Sequence, residues 1–434
     1  MVSEWLKNFF VFKRPKTPEF ISPGLYHARH EAEGAIARFH LRVDGDGSGL
    51  LIGNAAAAAR LSPTGVVIAK GLLDGLQESE ISKKLAEYFR GASESVMRAD
   101  IAQVNALIAG ILRPGDTYPV FNLENAAFSP HGAKLIAPLQ AVLPLADPTA
   151  LLPLMDRLWE VGIPHVTLFA PEHPTPEFLV RAVEHAEDLG MIVGVRGLAG
   201  DLLPESLLSD LAVAGIDHVT VPYASVDAAV HDALYGLGDH AAVGEVMNWL
   251  EQNGICAVPE IPLLAGTIDA LEMTLAALME MGADNLSFVA FATQDADCGS
   301  VADGAIAADA MPQVATMVEE AAGEVQARFI WEPPVQRDPS LSLAEQVHRG
   351  PRCAGDVAVR VEPDGEVIPP RGPYRSAGNL LRDSWDTIWN HETFRTYRER
   401  VEAPTHCDVC PGLTICAADC PREPAGWSQP VPGR

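Results

Sequence analysis

Between residues 135 and 292 the chain switches repeatedly between two hydrophobic periods. Six short apolar runs stand out: LIAPLQAVLPL (135–145), HVTLFA (165–170), MIVGVRG (191–197), HVTVPY (218–223), CAVPEIPL (256–263) and NLSFVAFA (285–292). Their length and β-branched content predict strands. Between them lie stretches with apolar residues every three or four positions, such as TPEFLVRAVEHAEDLG and AAVGEVMNWLEQNG. These predict helices, and their closing glycines suit the left-handed position just past a helix end. Six strand–helix units, spaced by about 25–30 residues, predict a parallel sheet or partial (β/α)6 barrel. In such a fold the site lies at the C-terminal ends of the strands.

The flanks follow other patterns. Residues 24–112 predict an α+β unit of winged-helix type. GAIARFHLRVDGDGSGLLIGNAAAAARL reads as two strands around an Asp/Gly turn. Its Asp44-Gly45-Asp46-Gly47 run has neither the loop length nor the later Glu of an EF-hand, so a hairpin turn is the better reading. Ser62 and Pro63 then suit the start of a first helix and Gly75 its end. In SEISKKLAEYF, Ile81, Leu85 and Phe89 share one helical face. DIAQVNALIAGIL supplies a third helix. Residues 113–134 show no period and read as a linker. Residues 1–23 read as an amphipathic capping segment, without the features of a secretory signal. From residue 331 a smaller unit runs to 421, with a hairpin turning at Asp364-Gly365, a helix with two tryptophans and a cysteine-bearing loop. Residues 422–434 form a Pro-rich tail.

Composition narrows the function classes. The 434 residues are 48% hydrophobic and 21% charged, as in a folded protein of two or three domains. The formal net charge of −27 repels phosphate backbones and anionic membranes, so nucleic acid is not an expected partner. No apolar run has the length of a membrane span. The seven cysteines are an odd number, five of them after residue 350, which is no disulfide scaffold and fits a reducing cytoplasm.

The candidate chemistry sits in that late cluster. Cys407, Cys410, Cys416 and Cys420 are spaced Cys-x2-Cys-x5-Cys-x3-Cys. Four thiolates this close, on a loop with Gly and Pro, suit one soft metal centre, and the residues leave zinc and iron–sulfur both open. Elsewhere the signals are weaker. Cys256 sits in an apolar strand and reads as a core residue, and Cys298 as a loop thiol. Glu172 and His173 follow the second barrel strand, near the expected mouth. His165, His185 and His218 read as packed or solvated imidazoles.

Residues 135–421 resemble a radical S-adenosylmethionine (radical SAM) enzyme with a SPASM auxiliary-cluster domain. The SPASM likeness rests on CAGDVAVRVEPDGEVIPP from Cys353, on Gly378-Asn379-Leu380, on the helix with Trp385 and Trp389, and on the four-cysteine motif. The barrel likeness rests on PHVTLFAPEHP, where Glu172 and Pro174 match the family's turn after strand two, and on HDALYG at 231–236. It implies a TIM-like partial barrel and places Glu172 at a SAM-contacting position. Residues 24–112 resemble the peptide-recognition domains that deliver precursor peptides to modifying enzymes, through the strand pair, LSPTG and LLDG. In those domains a peptide adds to a sheet edge.

The sequence also departs from the family. A radical SAM enzyme needs Cys-x3-Cys-x2-Cys after the first barrel strand, and here LPLADPTALLPLMD has no Cys or His. The family's Gly-Gly has become Ala170-Pro171, and Pro222 stands where a polar residue is expected. Within the SPASM-like region, Pro370 occupies a ligand position and no cysteine follows Cys420. Family ligation would pair Cys353 with Cys420, and Cys407 with Cys410 and Cys416, leaving both clusters short. The expectation is one 4Fe–4S cluster, or one zinc, at Cys407, Cys410, Cys416 and Cys420, with Cys353 able to exchange in. SAM is not an expected cofactor. The reading favoured is a pseudoenzyme that binds a peptide substrate or a catalytic radical SAM partner during peptide or cofactor maturation. Two alternatives stay open: an active enzyme working at the barrel mouth with Glu172 and His173, and an iron–sulfur electron-transfer or scaffold subunit.

Overall fold

A computed structural model describes residues 21–395, except 33–34, 54–56, 89–92, 113–136, 146–147, 171–174, 205, 284, 294–303, 308–309, 333, 354–357 and 371–373. Glu172, His173, Cys298, Cys407, Cys410, Cys416 and Cys420 therefore lie outside the described residues, as does the amphipathic start of the chain.

The first unit is a four-stranded antiparallel sheet in the order β1-β2-β3-β4, followed by three helices. The strands are β1 (Gly24–Ala32), β2 (Ala35–Val43), β3 (Gly49–Gly53) and β4 (Ala57–Leu61); the helices are α1 (Pro63–Leu73), α2 (Glu78–Tyr88) and α3 (Glu94–Leu112). The hydrophobic pattern predicts only two strands here. β1 and β4 are rich in Ala, Arg and His, so their strand state comes from pairing rather than propensity. β1 pairs with β2 along its whole length, from Gly24↔Val43 to Ala32↔Ala35. The Asp/Gly run forms the expected turn, closed by Asp44 N donating to Ser48 O and Gly47 N to Asp44 O. Ser62 caps α1 by accepting from Gly65 N at 3.2 Å, with Pro63 as the first helical residue. Phe39, Leu41, Leu51, Ile68, Ile81 and Leu85 are buried together between sheet and helices.

The second unit is a curled, mostly parallel sheet. Its first strands and helices alternate: β5 (Gln140–Pro144), α4 (Pro148–Val161), β6 (His165–Phe169), α5 (Pro176–Asp188), β7 (Ile192–Arg196), α6 (Ala199–Leu202), α7 (Leu207–Ala214) and β8 (His218–Pro222). Next come α8 (Ala228–Tyr235), α9 (Asp239–Gln252), β9 (Cys256–Leu263), α10 (Leu271–Glu280) and β10 (Asn285–Thr293). Then follow β11 (Ile306–Ala307), α11 (Met311–Glu324), β12 (Arg328–Trp331), β13 (Val335–Gln336) and α12 (Leu343–Arg349). All six strands expected from the apolar runs are present. The C-terminal hairpin, β14 (Ala358–Val361) with β15 (Val367–Ile368), joins the same sheet: β14 lies parallel to β5 with Ala358 opposite Gln140. The short helix α13 (Trp385–Trp389) follows it.

A period of two divides each barrel strand. One set of residues, including Ala141, Leu143, Val166, Leu168, Val193, Val195, Val219 and Val221, packs under the helices in the main core. The other set, including Gln140, His165, Thr167, Arg196, His218, Thr220 and Glu260, lines the barrel interior. The first unit seats on the floor of the barrel, at the N-terminal ends of these strands. Leu25 enters the barrel's core, Ile52 packs on Ile192, and His40 Nδ1 lies 2.6 Å from the Gly190 carbonyl oxygen.

Candidate functional site

The barrel lumen encloses a cavity of about 70 Å³. That is room for a few water molecules. Its floor is imidazole. His165 begins β6 and His218 begins β8, with β7 between them. Their Nε2 atoms are 2.7 Å apart and the rings meet edge to face at 89°. Contact across an intervening strand is possible because β7 carries Gly194 there. A Cβ on Gly194 would lie 1.9 Å from His218 Cε1, so the ring fills the space of the missing side chain. Both imidazoles are buried. Burial pushes His218 down to about 4. Burial, then the His218 and His40 rings, holds His165 well below the usual histidine range. The pair is therefore neutral near pH 7 and shares one Nε2 proton. His218 Nδ1 is buried with no hydrogen-bond partner among the described residues.

Above the floor, Gln140 Nε2 donates to Thr167 Oγ1 at 2.6 Å, and Ser287 Oγ donates to Glu332 Oε1 at 3.0 Å. The mouth is spanned by an ion pair. Arg196, the last residue of β7, donates from Nε and Nη2 to the two carboxylate oxygens of Glu260, at 2.9 and 2.6 Å. The two side chains are only 7% and 3% exposed. Burial disfavours the Arg196 charge, but attraction and hydrogen bonding to Glu260 leave its pKa raised. The guanidinium also lies over the Phe169 ring and donates to the His348 carbonyl at the end of α12. Gly350 then passes so close that a Cβ would fall 2.4 Å from Arg196 Nη2. From there Pro351 and Cys353 line the cavity. The segment after α12 thus runs from the mouth along the lumen wall.

The HDALYG segment is structural in this setting. His231 is wholly buried; its Nδ1 accepts from Ala224 N and its Nε2 donates to Asp239 Oδ2 at 3.0 Å. Asp239 in turn accepts from Gly200 N, which ties α8, α9 and α6 together. His185 is partly exposed against Asp156 on α4, as expected of a surface histidine. Cys256 is half-buried at the start of β9 beside Asn285. Cys353 is wholly buried in an apolar cluster with Val142, Phe169 and Ala358. Among the described residues no three His, Cys, Asp or Glu side chains converge as metal ligands.

Sequence reasoning singled out His165 and His218 separately but not as a pair. The signal for pairing was Gly194 inside a buried strand, which often marks the close approach of another group. Arg196 and Glu260 were missed, since each is a lone charge in an otherwise apolar run, Arg196 near the end of one and Glu260 in the middle of another.

The family model of SPASM, an iron–sulfur cluster-binding domain, matches residues 353–411. The chain carries a SPASM domain. The matched span takes in Cys353, Cys407 and Cys410, and the donor set completed by Cys416 and Cys420 suits a soft metal centre. Thiolates there would hold the metal, and its binding energy would count towards folding. The fold of the whole is similar to that of SuiB from Streptococcus suis bound to S-adenosylmethionine, at 12% identity and a TM-score of 0.50, over 90% of this chain and 95% of that one. SuiB bound to the precursor peptide SuiA gives 13%, 0.48, 87% and 93%. A further likeness is to anSMEcpe with bound AdoMet, at 11% identity, a TM-score of 0.43, and 64% and 88% coverage. The fold is similar to that of SuiB bound to S-adenosylmethionine, and the SPASM match lies towards the C-terminal end of the chain. No curated protein matches the chain in sequence. No described helix is long and apolar enough to cross a membrane.

Proposed function

We propose that this chain is a non-catalytic, radical-SAM-like SPASM protein that binds a peptide or a catalytic partner during maturation of a modified peptide or cofactor. The observation that carries the proposal is a length. β5 ends at Pro144 and α4 begins at Pro148. Residues 145–147 are too few for the eight-residue Cys-x3-Cys-x2-Cys loop, and the stretch holds no thiol. The buried Arg196–Glu260 pair supports the same reading. It commits the polar groups of the mouth to each other, so they are not free to read the charged ends of a SAM molecule.

The binding role draws on the first unit, whose sheet leaves β1 and β4 as edges that an extended peptide could extend. With 58 acidic against 31 basic residues, the chain favours a basic peptide or partner face. The SPASM cysteines act in this reading as a fold-holding metal centre. A second reading, an electron-transfer subunit, is favoured by the same thiolate set and is separated by whether the centre undergoes reversible reduction.

The deciding experiment is anaerobic purification and reconstitution, followed by incubation with SAM and a strong reductant. The expected result is a SPASM-bound metal with no 5′-deoxyadenosine formed. Stoichiometric SAM cleavage would sink the proposal.

A further inference from the structure

Two imidazole nitrogens face each other on the floor of the lumen. His165 Nε2 and His218 Nε2 stand 2.7 Å apart, both on side chains at least nine-tenths buried. The strands fix that approach. His218 lies opposite Gly194 on β7, whose missing side chain leaves room for the ring, and His165 comes from β6 on the other side. Both line the cavity, with Gln140, Thr167 and Thr220 beside them. A hydrogen bond between the rings occupies one nitrogen of each. It leaves His218 Nδ1 buried without a partner among the described residues, a desolvation cost that a pair serving only to pack would not need.

The pair has the chemistry of a ligand set. Imidazole binds metal as the neutral ring, and burial keeps both rings neutral near pH 7. The shared proton sits on one Nε2; moved to Nδ1 of the same ring, it frees both Nε2 lone pairs, and no proton has to leave. Metal–imidazole bonds of about 2.0–2.1 Å place two nitrogens about 2.9–3.4 Å apart in octahedral or tetrahedral coordination. The rings reach that spacing by opening a few tenths of an ångström from contact. The cavity wall carries Glu260 and Glu332 against Arg196, and both carboxylates act on that guanidinium, so the lumen favours a cation. Its volume of about 70 Å³ has room for the ion's water ligands. Imidazole donors select zinc, cobalt, nickel or copper over magnesium and calcium.

We propose that the lumen floor is a binding site for one zinc-class divalent ion, held by His165 Nε2 and His218 Nε2 with water in the remaining positions. Two protein ligands and bound water make an open site, unlike a closed four-thiolate centre. The inference is independent of the cysteine loop and of whether the chain cleaves SAM.

The test uses the full chain with its cysteine centre already loaded and excess metal removed, titrated at pH 7.5 with cobalt(II) as the probe. The expected result is one further cobalt per chain, with weak visible bands and no thiolate-to-cobalt charge-transfer absorption. His165→Gln and His218→Gln should each weaken that binding at least about tenfold, while the metal content of the cysteine centre stays the same. Where those variants fail to fold, nuclear magnetic resonance of the wild-type chain decides. Paramagnetic broadening centred on the amides of residues 165–167, 192–194 and 218–220 supports the site, and broadening centred elsewhere overturns it. The proposal also falls if no further cobalt binds at about 1 mM. Thiolate charge transfer from the added ion, or a folded histidine variant with wild-type affinity, overturns it equally.

Discussion

Arg196 holds both carboxylate oxygens of Glu260 across the mouth of the barrel, from the end of β7 to the middle of β9. The pair joins strands that are not neighbours, since β8 lies between them. It works as a crossbar over the lumen and as the anchor for the chain leaving α12.

Removing one partner leaves a buried charge. Glu260→Gln should lower unfolding free energy by about 3–5 kcal/mol, whereas the paired replacement Arg196→Met with Glu260→Leu should come close to wild type. Urea unfolding of the three proteins checks this. A loss in the double variant as large as in the single one would show that the His348 and Phe169 contacts of Arg196 matter more than its charge.

Gly194 is the condition for the histidine pair. Gly194→Ala puts a methyl carbon 1.9 Å from His218 Cε1, so either the ring or β7 must move. A cost of about 3 kcal/mol is expected from such overpacking. Combining it with His218→Ala should recover much of that loss, measured as a thermal midpoint.

The pH dependence of global stability has a definite sign. His218 has a folded pKa of about 4, below its ordinary 6.5. Between those values the unfolded chain binds the extra proton, so stability falls as pH drops from 6.5 towards 4 and is level above that window. For this one group the full passage is worth about 3 kcal/mol. Urea midpoints at pH 7, 6 and 5 should decline accordingly, and His218→Gln should flatten the decline.

Cys353 packs in an apolar corner of the lumen wall. If the centre is built by Cys407, Cys410, Cys416 and Cys420 alone, Cys353→Ala should keep the wild-type metal content and cost about 1–2 kcal/mol through the small cavity left behind. Cys407→Ala with Cys410→Ala should abolish metal binding. Metal analysis by mass spectrometry checks both, and equal metal loss in the Cys353 variant would make it a required ligand.

Much of the fold was legible because local periods reported it. Val166 and Leu168 alternate with His165 and Thr167, and Gly162, Gly190, Gly215, Gly254 and Gly282 all take the positive φ of a helix end. β1 escaped notice because GLYHARHEA lacks a strand-like composition and gains its form from β2. The site was harder to see. His165 and His218 are 53 positions apart, and only the inward face of a closed sheet, with a gap at Gly194, brings them together. Arg196 and Glu260 likewise look like isolated charges in separate strands until curvature points them at one another. Pairing across a barrel depends on register, which composition does not carry.

The short passage from β5 into α4 bears on how this chain could change. Cysteines can be introduced one substitution at a time, but backbone cannot. A variant of equal length would still have only three residues between Pro144 and Pro148, against the eight of Cys-x3-Cys-x2-Cys. On the proposed non-catalytic reading, cluster chemistry at this position would need an insertion. An engineering test of that reading would graft a longer connection first and choose its residues second.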